Sequence, residues 1–207
     1  MRAILLAGAP ITDYDCILKM IRSDDFIACA DSGLTHAAKM GLHVSLAVGD
    51  FDSFSGKVNA DEIITLPCKK DDTDAMALAR LLVDRGFDEV LMLGCSGARL
   101  DHTLGAISVL LYLREQGIRV SMSDERHTVY AVMNESVCHP IGVGNTFSLL
   151  PFACGRAEGV SVNGAEYALE NAVITADYPI GVSNVATDEK VKISVKKGTL
   201  LLITAKD

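Results

Sequence analysis

Hydrophobic positions in the first 123 residues come in short continuous runs, and helical spacing fills the intervals between them. Ala3–Leu6 is an apolar run bounded by Gly8 and Pro10, which predicts a buried strand rather than the core of a signal peptide. Tyr14–Arg22 places Ile17, Leu18 and Ile21 at helical spacing. Phe26–Ala30, Leu46–Val48, Glu62–Leu66, Glu89–Leu93 and Ile118–Met122 predict further strands. Leu34–Met40, Asp74–Arg85 and Leu104–Glu115 predict helices stopped by Gly41, Gly86 and Gly117. Strands that are apolar throughout and alternate with helices predict a parallel sheet covered on both faces.

The pattern changes near Ser123. Helical spacing gives way to short β-prone runs separated by turn signals. Val160-Ser161-Val162 precedes Asn163-Gly164, a hairpin signal, and Val191–Val195 alternates strictly before turning through Lys196–Thr199 into Leu200–Ile203. Phe147–Leu150 and Ala172–Ile174 are further strands. The fold class expected is an α/β domain with a mostly parallel sheet, residues 1–123, followed by a small all-β sandwich, residues 124–207. The polar junction Asp124-Glu125-Arg126 has no Gly, Ser or Pro run, so a rigid connection is expected.

Composition narrows the choice of function. The chain has 207 residues, 49% of them hydrophobic, enough for a full core. A net charge of −8 with no Lys/Arg run argues against nucleic-acid or anionic-membrane partners. No apolar stretch is long enough to span a bilayer. None of the six cysteines falls in a C-x-x-C pair, so reduced, buried thiols in a cytoplasmic protein are expected rather than a zinc knuckle.

The acidic residues concentrate at predicted strand ends. Ala30-Asp31-Ser32-Gly33 follows the second strand and Gly49-Asp50-Phe51-Asp52-Ser53 the third. Lys69-Lys70-Asp71-Asp72-Thr73-Asp74 precedes the Ala-rich helix. Gly94-Cys95-Ser96-Gly97-Ala98-Arg99-Leu100-Asp101-His102 follows the Leu91–Leu93 strand. In a parallel sheet these ends share one edge and can converge. Each has a structural alternative: Asp31 and Asp101 can cap helices, and Thr73 or Asp72 can cap the next one, leaving Asp74 in its first turn. His102 can be a surface residue at a helix start. Capping does not account for four acidic strand ends in one half of the chain. Asp50 and Asp52, two residues apart in an extended chain, point to one side and call for a cation. Gly94 and Gly97 allow backbone amides to form an anion nest, and Arg99 adds a planar fork for phosphate oxygens.

In order and spacing these segments resemble the motifs of the thiamine pyrophosphokinase family, and Gly181-Val182-Ser183-Asn184 resembles its thiamine-side motif. The resemblance covers nearly the whole chain. It implies Mg²⁺-dependent transfer of a pyrophosphoryl group from ATP to the thiamine hydroxyl, giving thiamine diphosphate and AMP, in a homodimer with sites between subunits. It implies metal ligation by Asp50, Asp52 and Asp74, catalytic roles for Asp52, Asp74, Asp101 and Arg99, and substrate contacts from Asp31, Ser32, Gly33, Asp71, Thr73, Gly94, Gly97, Arg99, His102, Ser183 and Asn184. The β domain is implied in thiamine binding and dimerisation. Two departures stand out: Ser32 replaces a glycine often found there, and the chain has no Trp, leaving Tyr178 near Ser183 as a candidate to stack on thiamine or an ordinary rim or core aromatic. Two rival readings remain at this level: a pyrophosphokinase for another heterocyclic alcohol, and a nucleotide- or thiamine-binding module without turnover.

Overall fold

The computed structural model describes residues 1–52, 58–67, 71–97 and 99–205. Ser53, Cys68, Lys69, Lys70 and Ala98 lie outside the described residues. The chain divides into two compact units, Met1–Glu125 and Arg126–Asp207.

Unit 1 runs β1 (Arg2–Leu6), α1 (Tyr14–Leu18), β2 (Phe26–Ala30), α2 (Gly33–Lys39), β3 (Leu46–Gly49), β4 (Glu62–Thr65), α3 (Asp74–Asp84), β5 (Glu89–Leu93), α4 (Leu100–Glu115) and β6 (Arg119–Ser123). Its strands lie in the order β6-β5-β1-β2-β3-β4, all parallel. The chain builds outward from β1 on one side, then returns to build β5 and β6 on the other. The strand order therefore reverses between β1 and β5, the place where open α/β sheets bind ligands. Leu6 pairs with both Cys29 and Leu93, so the carboxyl ends of β1, β2 and β5 are level. The continuous apolar runs have the expected cause: β1, β2, β3 and β5 are buried along nearly their whole lengths, with Ile4, Leu6, Ile27 and Leu93 in one core.

Two helix starts differ in detail from the sequence expectation, and a third agrees with it. α4 begins at Leu100, because Arg99 is extended at the N-cap and the Thr103 amide closes the first turn on the Arg99 carbonyl at 3.2 Å. Asp101 thus lies in the first turn and is not the cap. Asp31 does not cap α2 either: Ser32 holds that position and makes no side-chain cap bond. Thr73 does cap α3, its hydroxyl accepting the Met76 amide at 3.2 Å, and Asp74 occupies the first turn.

Unit 2 consists of β7 (His127–Met133), β8 (Ser136–His139), β9 (Thr146–Phe152), β10 (Arg156–Asn163), β11 (Leu169–Thr175), β12 (Asn184–Val185), β13 (Val191–Ser194) and β14 (Thr199–Ala205). Within it β12-β9-β14-β7 and β11-β10-β13-β8 form two antiparallel layers. Phe147, Leu149, Leu200 and Leu202 from one layer pack with Val160, Val162, Ile174 and Ile193 from the other. The Lys196–Gly198 turn does not join partners in one sheet. It carries the chain from β13 in one layer to β14 in the other. No described helix is long and apolar enough to cross a membrane.

Candidate active site

A cleft of about 410 Å³ opens at the carboxyl edge of unit 1. The loop after β1, Ala7–Pro10, and the loop after β5, from Gly94 to Gly97, supply one wall; Asp31, Ser32, Thr73 and Asp74 supply another. The two loops are tied by their backbones, Ala7 N–H to Leu93 O at 2.9 Å and Ala9 N–H to Gly94 O at 2.8 Å. This contact requires glycine at 94. Its φ is +62°, and a β-carbon there would lie 2.4 Å from the Ala7 carbonyl oxygen. Ser32, the departure noted above, is accommodated by Gly8: a β-carbon at Gly8 would come within 1.8 Å of the Ser32 Oγ.

The acidic strand ends do converge. Asp31, Asp50 and Asp52 each offer an oxygen within 4.8 Å of the other two. The backbone is bent to achieve this: Asp31 (φ 42°) and Phe51 (φ 57°) are both left-handed, which costs non-glycine residues on the order of 1 kcal/mol each. The Asp52 amide donates to Asp50 Oδ1 at 3.3 Å, closing the turn between them. Asp31 is electrostatically crowded. Burial pushes its carboxyl above the ordinary value, the charges of Asp74, Asp50 and Asp52 push it further, and the Ser32 amide opposes them in part. Asp31 Oδ1 is buried and has no hydrogen-bond partner among the described residues. A buried carboxylate oxygen of this kind beside two more carboxylates suits a hard divalent cation that takes oxygen ligands. The tightest group thus contains Asp31, with Asp74 close enough to perturb it.

The remaining predicted residues divide between the cleft and its surroundings. Gly94, Gly97, Arg99, His102, Thr73 and Ser32 line it, and Gly33 is buried at the start of α2. Arg99 forks onto Asp101, Nε to Oδ1 at 3.1 Å and Nη2 to Oδ2 at 2.5 Å. Both side chains are about two-thirds exposed, at 66% and 64%, so the pair is weakly held and the guanidinium can exchange its partner. Asp101 is outside both the cleft lining and the acidic trio. Asp71 is exposed beyond the start of α3.

Within unit 2, Ser183 is exposed and left-handed (φ 60°), its amide donating to Ser148 Oγ at 3.1 Å. Asn184 is buried and already engaged. Its Oδ1 accepts the Tyr167 and Val185 amides at 3.0 and 2.9 Å, and its Nδ2 donates to the Tyr167 carbonyl at 2.9 Å. That bonding makes it a local brace for the Tyr167 segment. Tyr178 is exposed and belongs to no core. The thiols also divide: Cys29 and Cys95 are buried and pushed up to about 12 by desolvation, whereas Cys138 and Cys154 are exposed, contrary to the expectation of buried thiols.

Sequence reasoning missed the Ala7–Pro10 wall, although Gly8 and Pro10 after the first apolar run were its signal. It also missed His36, for which no local signal exists. His36 is buried in α2; its Nε2 donates to the Ala9 carbonyl at 2.9 Å, and Tyr14 Oη donates to its Nδ1 at 2.8 Å. Burial favours the neutral ring, which this bonding uses.

Comparison with known proteins places this architecture. The family described as thiamin pyrophosphokinase, catalytic domain, matches residues 17–122, and the thiamin pyrophosphokinase, vitamin B1 binding domain, matches residues 134–200. The thiamine pyrophosphokinase of Bacillus subtilis (strain 168) is 25% identical over 184 residues, 86% of each chain. Among solved structures, the Bacillus subtilis thiamine pyrophosphokinase superposes with a TM-score of 0.88 at 21% identity, covering 100% of both chains. The Enterococcus faecalis family protein gives 0.81 at 25% identity, again covering 100% of both. The Candida albicans enzyme gives 0.84 at 15% identity, covering 100% of this chain and 89% of that one. Fold and family matches together define a transferase of the kinase class. The chain belongs to the thiamine pyrophosphokinase family.

Proposed function

We propose that this enzyme transfers the pyrophosphoryl group of ATP to the hydroxyl of thiamine, giving thiamine diphosphate and AMP, with Mg²⁺ as the metal. The observation that carries the reading is the convergence of Asp31, Asp50 and Asp52 beside a glycine-loop cleft, in a chain of this family. In the transfer the thiamine oxygen bonds to the β-phosphorus, and the bond from that phosphorus to the α,β-bridging oxygen breaks. AMP leaves with the bridging oxygen and its electron pair. The leaving group is a phosphate, so charge stabilisation matters more than acid catalysis.

Asp31, Asp50 and Asp52 would hold the cation, with Asp74 completing the acidic wall. When bound, Mg²⁺ offsets the charge of the triphosphate and favours its attack by the hydroxyl oxygen. The Gly94–Gly97 loop and Arg99 receive phosphate oxygens, and Asp101 keeps the guanidinium near the cleft until they arrive. A carboxylate of the acidic group that is not engaged by the cation accepts the hydroxyl proton. Unit 1 is then the nucleotide- and metal-binding catalytic domain, and unit 2 contributes to thiamine binding and dimerisation. The acidic surface also attracts the thiamine cation.

Product analysis tests the reaction. Purified protein with ATP, Mg²⁺ and thiamine is expected to form AMP and thiamine diphosphate in equal amounts; ADP with thiamine monophosphate refutes the transfer. An acceptor panel separates thiamine from other heterocyclic alcohols.

We also propose that the protein is a homodimer with its sites between subunits. The supporting feature is a set of exposed apolar side chains in unit 2, Tyr167, Tyr178, Ile180 and Val182, whose burial would favour association. Light scattering is expected to give twice the mass of the chain, and a monomer at micromolar concentration rules the dimer out.

A further inference from the structure

The two residues after β6 carry carboxylates that reach the two loops of one cleft wall. Glu125 Oε1 accepts three hydrogen bonds from the end of the β1–α1 loop: Thr12 N–H at 2.5 Å, Asp13 N–H at 3.0 Å and Thr12 Oγ1 at 3.1 Å. Asp124 Oδ2 accepts Ser96 Oγ at 2.5 Å, in the loop after β5. β6 neighbours β5, which neighbours β1, so a side chain leaving the end of β6 meets both loops.

The loops need such a tether. Thr12 and Asp13 are exposed and outside any strand, yet Asp13 must stand where its carboxylate caps α1 through the Cys16 amide at 2.9 Å. The other end of the same loop is held by the Ala9–Gly94 backbone bond and by His36. Burial pushes the Glu125 carboxyl up, but the Asp13 and Thr12 donors outweigh it and hold the group below its ordinary value, so it is charged when it binds them.

We propose that Glu125 and Asp124 are positioning residues for nucleotide binding, fixing the Ala7–Asp13 and Gly94–Gly97 loops in the spacing that receives the phosphates. This rests on the reading that the cleft takes ATP. Neither residue lines the cleft, so their effect passes through the loops. It is specific to the nucleotide, because the loops they hold form one wall of this pocket.

The test measures ATP affinity by calorimetry, with KM for ATP and for thiamine, in the full-length protein. Glu125→Ala is expected to weaken ATP about tenfold, the loss of one well-made charged hydrogen-bond set, with KM for thiamine within about twofold of wild type. Glu125→Gln keeps an acceptor oxygen and is expected to recover most of the affinity. Ser96→Ala removes the Asp124 bond from the donor side without altering a charge, and is expected to weaken ATP about threefold; it serves even if Glu125→Ala fails to fold. If wild type binds ATP and both alanine variants bind it equally well, the proposal fails and the site assignment stands. The proposal also fails if only thermal stability falls, or if Gln is as damaging as Ala. If wild type binds no ATP, the site assignment fails and takes the proposal with it.

Discussion

Asp31→Asn is expected to raise the thermal midpoint of the metal-free protein while lowering turnover by about a hundredfold or more, the scale seen when one preorganised charge-stabilising group is lost. The stability gain follows from the surroundings. Asp31 is partly buried, has an oxygen without a hydrogen-bond partner among the described residues, and faces the charges of Asp74, Asp50 and Asp52. Asparagine removes one like charge from that group at almost constant shape. The activity loss follows from the same feature, since a crowded carboxylate is what makes the group favourable for a cation. Asp52→Asn is the control: Asp52 is exposed, so turnover is expected to fall while the midpoint barely moves. Thermal scans with and without Mg²⁺ check both halves. Wild type should gain stability from added Mg²⁺, and Asp31→Asn should gain less. A variant that loses stability without metal, or keeps full turnover, shows that Asp31 is a structural residue. The trade of stability for activity is the usual one at a functional site.

Asp25→Ala is expected to produce the largest loss of stability, about 3 kcal/mol or more, the cost of leaving a buried charge without its partner. Arg2 and Asp25 lie at the opposite edge of the sheet from the cleft, with side chains only 12% and 1% exposed. Arg2 Nε donates to Asp25 Oδ1 at 2.7 Å and its Nη2 to Oδ2 at 2.5 Å, while Nη2 also donates to the Met20 carbonyl at 2.8 Å. The Arg22 amide gives Asp25 a further bond at 2.7 Å. Glu89, 3.8 Å from Arg2, offers only partial replacement. Denaturant titration measures the loss, and a change below about 1 kcal/mol would show that the pair is effectively solvated. The pH dependence has a definite sign. Burial raises the Asp25 carboxyl, but Arg2 and the Arg22 amide lower it more, so the folded value lies below the unfolded one near 3.8. The contribution of Asp25 is therefore complete above that value and is lost as pH falls through the folded value. Asp25→Ala should flatten the acid limb of the stability curve.

Much of unit 1 is legible in the sequence because its central strands, β1, β2, β3 and β5, are each apolar by themselves. Phe26–Ala30 and Glu89–Leu93 need no partner to be recognised, and their burial on both faces explains why. Unit 2 is less legible. His127–Met133 and Ser136–His139 mix polar and apolar residues in a way that only pairing with β14 and β13 resolves. The turn after Val195 has the local look of a hairpin, since a local signal cannot tell a return within one sheet from a crossing between two. Asn184 shows the same limit at a site residue: its place in a motif suggests a ligand contact, whereas its bonds to the Tyr167 segment are set by tertiary neighbours.

By itself the sequence determined the two-part architecture, the family and the set of acidic strand ends, because those depend on periodicity, spacing and residue type along the chain. Only the tertiary structure decided which carboxylates meet. Asp31 joins Asp50 and Asp52 because β2 and β3 are adjacent and because the backbone at Asp31 and Phe51 turns left-handed. It also decided that Glu125 reaches the loop after β1, across 112 residues of sequence from Asp13. Such contacts follow from strand order, and strand order is fixed by packing the whole sheet rather than by any local stretch of it.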